Sequence, residues 1–144
     1  MDYLYNKEAI IGLLSSKETY EVLRKYNITT ISIFGSIVNG EFTEESDVDL
    51  AIIGDSPFKL DEILDLELFF ENLLKREIDL LDLRSQSLDL LVKINILTTC
   101  RIIYSTDNNK NFNILYNKTD RIYTENENFI HFRKVDVLSW IKNV

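Results

Sequence analysis

The chain has 144 residues, 45% hydrophobic and 28% charged, with four glycines, one proline, one histidine and one cysteine. That suits one domain with a sizeable core and excludes wholesale disorder, and the lone Cys100 excludes an internal disulfide and a cysteine-rich zinc site. A net charge of −8 excludes a sequence-independent grip on DNA or RNA, which needs a basic face.

With no apolar run long enough to span a membrane and no signal-peptide layout in MDYLYNKEAI, a soluble, untargeted protein in a reduced, cytoplasmic setting is expected. The charge is uneven: residues 1–104 carry −9 and residues 105–144 carry +1. An acidic body suits metal ions or a basic protein partner, although solubility accounts equally well for most of the carboxylates.

Residues 6–14 (NKEAIIGLL) predict a short helix. Ser15-Ser16-Lys17-Glu18 reads as a capping box, in which a Ser hydroxyl accepts from the third backbone N–H and Glu18 reaches back. The second helix then runs to Lys25, with Val22, Leu23 and Tyr26 on its apolar side, and Asn27 ends it. Residues 29–34 and 48–53 are rich in β-branched and apolar side chains and predict strands.

Gly54-Asp55-Ser56-Pro57 is a turn cluster. Residues 59–75 are the clearest helix, and their apolar residues cover more than one narrow stripe, so deep packing is expected. A strand at 78–83, a helix at 87–97 and a strand at 101–104 complete the body. The order implies an α/β (α+β) fold: a mixed sheet of about four strands flanked by helices, with a crossover joining the second strand to the third. Residues 1–104 form the domain. Residues 105–144, with eight Asn and no Gly or Pro, form a helical extension packed on the domain or on a partner. Phe112, Leu115 and Tyr116 have helical spacing there, as do Val137, Leu138 and Ile141.

The chemistry concentrates in ISIFGSIVNGEFTEESDVDLAII, residues 31–53. Asp47 and Asp49 are two apart in a strand pattern and so share a face. Two close carboxylates raise each other's cost of ionising, and a divalent cation removes that conflict. Hard oxygen ligands on a strand suit Mg²⁺, which takes few protein ligands and leaves positions for substrate phosphates. Gly35-Ser36, just after the preceding strand, permits close backbone approach to a phosphate and adds a hydroxyl. Gly40 is a second flexible point. A third carboxylate would complete a two-metal site for in-line displacement. Asp79 is the candidate ligand or general base; Asp82, three residues on, faces the other way, toward solvent or a helix terminus.

This pattern resembles the nucleotidyltransferase superfamily typified by DNA polymerase β. The marks are Gly35-Ser36, Asp47-Val48-Asp49 about ten residues later, and Asp79 on a further strand. Within it, SDVDL, REIDLLDL and KINILTTCRIIYS look like the minimal nucleotidyltransferase (MNT) group. The resemblance covers roughly residues 16–104. It implies Mg²⁺-dependent transfer of a nucleoside monophosphate, usually AMP from ATP, to a hydroxyl with release of pyrophosphate. It implies a HEPN-domain toxin as partner, with the MNT protein as antitoxin and a toxin tyrosine as acceptor. It also assigns Gly35 and Ser36 to phosphate contact, and Asp47, Asp49 and Asp79 to metal binding and catalysis.

The sequence departs from the family at Asn39, where Arg is common, which removes a positive charge that Lys59 or Arg76 could replace. Two other readings remain: a binding module that neutralises a toxin by occlusion alone, and a small-molecule adenylyltransferase of the aminoglycoside type, for which the chain is short. Ser46 reads as a turn hydroxyl, Glu44 and Glu45 as a solvated loop, and Cys100 as a buried small hydrophobe opening the last strand. His131, between Phe129 and Phe132 in the tail, reads as packing or exposed. No membrane or direct nucleic-acid partner is expected; the acceptor, the base preference and homo-oligomerisation stay open.

Overall fold

In the computed structural model, which describes residues 6–127, the sheet is built from four short strands: β1 (Ile28–Phe34), β2 (Val48–Gly54), β3 (Ile78–Asp82) and β4 (Arg101–Ser105). Their order across the sheet is β3-β2-β1-β4. β1 runs antiparallel to β2 and to β4, while β2 and β3 are parallel. The parallel pair requires a crossover, and helix α4 (Leu60–Leu74) supplies it. The mixed four-stranded sheet and the crossover match the arrangement expected from the sequence.

Alternation along the strands sorts side chains to two faces. Ile31, Ile33, Leu50, Ile52 and Leu80 join one buried cluster with α1 (Lys7–Leu14), α2 (Lys17–Lys25) and α4. Ala51 and Ile53 join another with α5 (Leu90–Thr99) and α6 (Lys110–Glu125). The fold is therefore a sheet between two helical layers. The extension packs through α6, where Leu115 is buried against Ala51, Ile53 and Leu83. Val137, Leu138, Ile141 and His131 lie outside the described residues.

Local chemistry shifts several expected boundaries. Of the two serines, Ser16 caps α2: its hydroxyl accepts from Thr19 N, and Ser15 closes α1. The third-position residue is thus Thr19, and Glu18 has no reciprocal role. α5 begins at Leu90 rather than at 87, because the Asp89 carboxylate accepts from Leu91 N at 2.8 Å and fixes the cap there. A short helical turn not foreseen in the sequence, α3 (Ser36–Asn39), follows β1.

The expectation of deep packing for α4 holds for one face only. Leu66, Phe70 and Leu74 are buried, whereas Leu60, Leu64 and Leu68 are exposed. Cys100 is half-buried, not buried. It ends α5 rather than opening β4, and burial pushes its thiol up from the ordinary value.

Candidate functional site

The site lies where β1 ends and β2 and β3 begin. Strand register sets Asp49 directly beside Asp79, and Phe34 across from Asp49 on the other side. Asp49 and Asp79 have the parity of Ala51 and Leu81, which places them on the α5 side of the sheet. Asp47 stands one residue before β2 begins. Asp47 and Asp79 are exposed and Asp49 is half-buried. None of the three accepts a hydrogen bond from a described residue.

The carboxylates feel one another. Burial first, then the charges of Asp79 and Asp47, push the Asp49 carboxyl up to about 6. A half-buried acid with two acidic neighbours and no donor is chemically incomplete, and a divalent cation is the charge that would complete it. Among the described residues, no three His, Cys, Asp or Glu side chains converge closely enough as they stand to hold an ion. The residues fit a Mg²⁺ ion that takes one or two carboxylates and completes its shell with water and phosphate oxygens.

Gly35 shows why the turn and the acid belong together. Its φ of 73° lies in the left-handed region, and a Cβ built on it would overlap the Asp49 Oδ2 oxygen. The bare backbone of the turn therefore rests directly against the acid. From Gly35 the chain enters α3, where the Gly35 carbonyl accepts from Val38 N and Asn39 N. The first N–H groups of that turn have no acceptor within it and are available to an anion beside Asp49.

The loop between α3 and β2 is pinned to β3. Arg76 donates to Thr43 O at 2.6 Å and its guanidinium lies 4.5 Å from the centre of the Phe42 ring. Ser46 bonds back to Thr43 N at 2.9 Å, a turn role as expected. Arg76 is thus already engaged in holding the loop that carries Asp47. Lys59 precedes the first residue of α4, beside the Gly54 end of β2 and away from Asp49. The charge absent at Asn39 is not restored by Lys59. The Asn39 side chain accepts from Glu41 N at 3.0 Å and shapes the loop.

Asp82 faces away from this site. It is buried, and accepts from Phe58 N at 2.8 Å and from Arg84 N at 2.9 Å, near the start of α4. Of the two alternatives for it, the helix terminus is the one adopted, and solvent is not. The sequence reading missed Asn95 and Thr99 of α5, which with Phe34, Gly35, Val38, Asn39 and Ile96 line a cleft of about 400 Å³ beside the glycine turn. Only the tertiary approach of α5 to the end of β1 brings them there; no local motif marks them.

Comparisons with known proteins bear on family and fold. A family model described as "Polymerase beta, Nucleotidyltransferase" matches residues 17–109. A Methanocaldococcus jannaschii protein provisionally named protein adenylyltransferase MJ0126 is 37% identical over 65 residues. That match covers 45% of this chain and 66% of the archaeal protein, just under two thirds of its length. A chain from the crystal structure of a toxin–antitoxin pair with AMP-PNP superposes with a TM-score of 0.72 at 21% identity, covering 87% of this chain and 99% of that one. A chain from the tri-AMPylated Shewanella oneidensis HEPN toxin in complex with MNT antitoxin superposes with a TM-score of 0.65 at 19% identity, covering 96% and 99%. At these identities the structural matches establish the fold.

Proposed function

The chain belongs to the polymerase beta nucleotidyltransferase family, and from that premise we propose that it transfers AMP from ATP to a hydroxyl on a protein, a tyrosine of a cognate HEPN toxin, and acts as the antitoxin of that pair. The observation that carries the reading is the contact of Gly35 with the Asp49 carboxylate, beside Asp79 in register on β3. Phosphate cradle and acid set form one continuous surface. The acceptor class comes from the relatives: an archaeal protein named for protein adenylylation, and fold neighbours that include an AMPylated toxin with its antitoxin.

In this reading Asp47 and Asp49 would hold Mg²⁺, with Asp79 beside them, and the ion would supply charge neutralisation of the triphosphate. Gly35, Ser36 and the free N–H groups of α3 receive the β- and γ-phosphates. The nucleoside takes the cleft lined by Asn39, Asn95 and Thr99. Asp79, exposed at the sheet edge, accepts the proton of the acceptor hydroxyl. The acceptor oxygen forms a bond to the α-phosphorus as the bond from that phosphorus to the bridging oxygen breaks, and pyrophosphate leaves.

The test is incubation with α-labelled ATP, Mg²⁺ and a candidate HEPN-type protein. Label should pass to the partner, and should be lost with Asp47→Asn plus Asp49→Asn. Label transfer that survives the double substitution rejects the reading. Asn39 supports a second reading, neutralisation by occlusion with a weakened nucleotide site. Under it, the double variant would still protect cells from the partner although no label is transferred.

A further inference from the structure

Among the described residues, five large hydrophobic side chains are exposed, and three of them fall on one line: Leu60 (74%), Leu64 (55%) and Leu68 (58%) of α4. Scattered exposed leucines need no explanation, but an aligned row does. Spacing of four residues makes them a single ridge, about 12 Å long at a rise of 1.5 Å per residue. This ridge is separate from the core face, where Leu66, Phe70 and Leu74 do the packing. α4 also carries five carboxylates, Asp61, Glu62, Asp65, Glu67 and Glu71, and no basic side chain between Leu60 and Leu74. On a helical wheel Glu67 and Glu71 border the leucine row on one side, Asp61 and Asp65 on the other.

We propose that this face of α4 is the docking surface for a basic amphipathic helix of a protein partner. A straight four-residue ridge fits the groove between the ridges of a second helix. The acidic borders select lysine or arginine on that helix and oppose a second copy of α4, whose own borders are equally acidic. The surface also leads to the reaction centre. α4 packs against β3, the edge strand of the sheet and the strand that carries Asp79. A partner seated on α4 is held beside the sheet edge where Asp79 is exposed. The inference rests on the reading of a protein acceptor given above, and it adds where that acceptor is held.

The test uses the full chain and two synthetic amphipathic peptides with leucines at four-residue spacing, one with lysines and one with glutamates on the polar face. Isothermal calorimetry should show the Leu/Lys peptide binding the wild type and the Leu/Glu peptide not binding. In the variant L60S/L64S/L68S, which keeps every charge, Leu/Lys affinity should fall roughly tenfold or more. Binding of labelled ATP with Mg²⁺ should be unchanged, which also shows that the variant is folded.

Equal peptide binding by the variant overturns the proposal, as does equal binding of the Leu/Glu peptide. A wild-type dimer that dissociates in the variant overturns it in favour of a second copy. A shift in the emission of Trp140, the only tryptophan, on introducing the three serines overturns it in favour of the chain's own C-terminal segment. Loss of ATP binding in the wild type would instead refute the nucleotidyltransfer reading, so the two failures are distinct.

Discussion

β3 carries two aspartates with opposite fates, one second and one last in a five-residue strand. Asp82 is buried, and two backbone N–H groups satisfy its carboxylate. Asp79 is exposed, accepts nothing from the described residues, and lies in register with an acid whose pKa it helps to raise. Residue type and secondary structure are the same, so the difference lies in the supply of donors. At the Asp82 end the turn before α4 and the chain after β3 bring N–H groups to the acid. At the Asp79 end Gly35 brings bare backbone and no donor to its neighbour Asp49. An acid satisfied by backbone holds the fold together. Acids left to repel one another at the mouth of a glycine turn are a site awaiting positive charge.

The sharpest way to break this contrast is to remove acids from each end and measure transfer. Asp47→Asn with Asp49→Asn should reduce label transfer by roughly a thousandfold or more, since the charge that neutralises the triphosphate loses its ligands. Asp82→Ala should leave the rate of the folded enzyme unchanged. Comparable rate losses in both variants would erase the distinction. Gly35→Ala comes next in size. The methyl group meets the Asp49 carboxylate and the backbone is held at φ 73°. Transfer should fall about a hundredfold and stability by about 2 kcal/mol. An unperturbed Gly35→Ala variant in both assays would show that close contact between turn and acid is not needed.

The sheet was legible because its strands are near-continuous apolar runs and because a parallel pair needs the crossover that residues 59–75 supply. The placement of Asp79 beside Asp49 followed from the same crossover. What escaped depended on tertiary approach or on a choice between equivalent local donors. Ser15 and Ser16 offer the same hydroxyl, and only the close of α1 decides between them. Leucine-rich α4 reads as deeply packed, because sequence alone does not reveal that Leu60, Leu64 and Leu68 have no cover among the described residues. Asn95 and Thr99 reach the cleft only because α5 returns to the end of β1.

At the satisfied end, the contrast is sharpened by stability. Asp82→Ala leaves Phe58 N and Arg84 N without their charged acceptor. It should cost about 2–3 kcal/mol in urea denaturation, with the slope unchanged. A loss below about 0.5 kcal/mol would mean that water replaces the carboxylate and that the acid is not structural.

The smallest expected effect has the opposite sign and belongs to the unsatisfied end. Asp49 titrates near 6 in the folded protein and near the ordinary 3.8 once unfolded. Between those values the folded form retains a proton that the unfolded form has lost. Stability therefore falls as pH rises through that window and levels off above it. Asp49→Asn removes the dependence, and at pH 7.5 the variant should be more stable than wild type by about 1 kcal/mol, after discounting the solvent-facing side of the group for screening. Mg²⁺ should recover the same stability in the wild type. Its effect on Tm should be larger at pH 7.5 than at pH 5, where a proton already occupies Asp49, and should be reduced in Asp49→Asn. An Asp49→Asn variant less stable than wild type at pH 7.5 would mean that the carboxylate finds compensation within the protein, and the contrast between the two ends of β3 would then fail at its more reactive end.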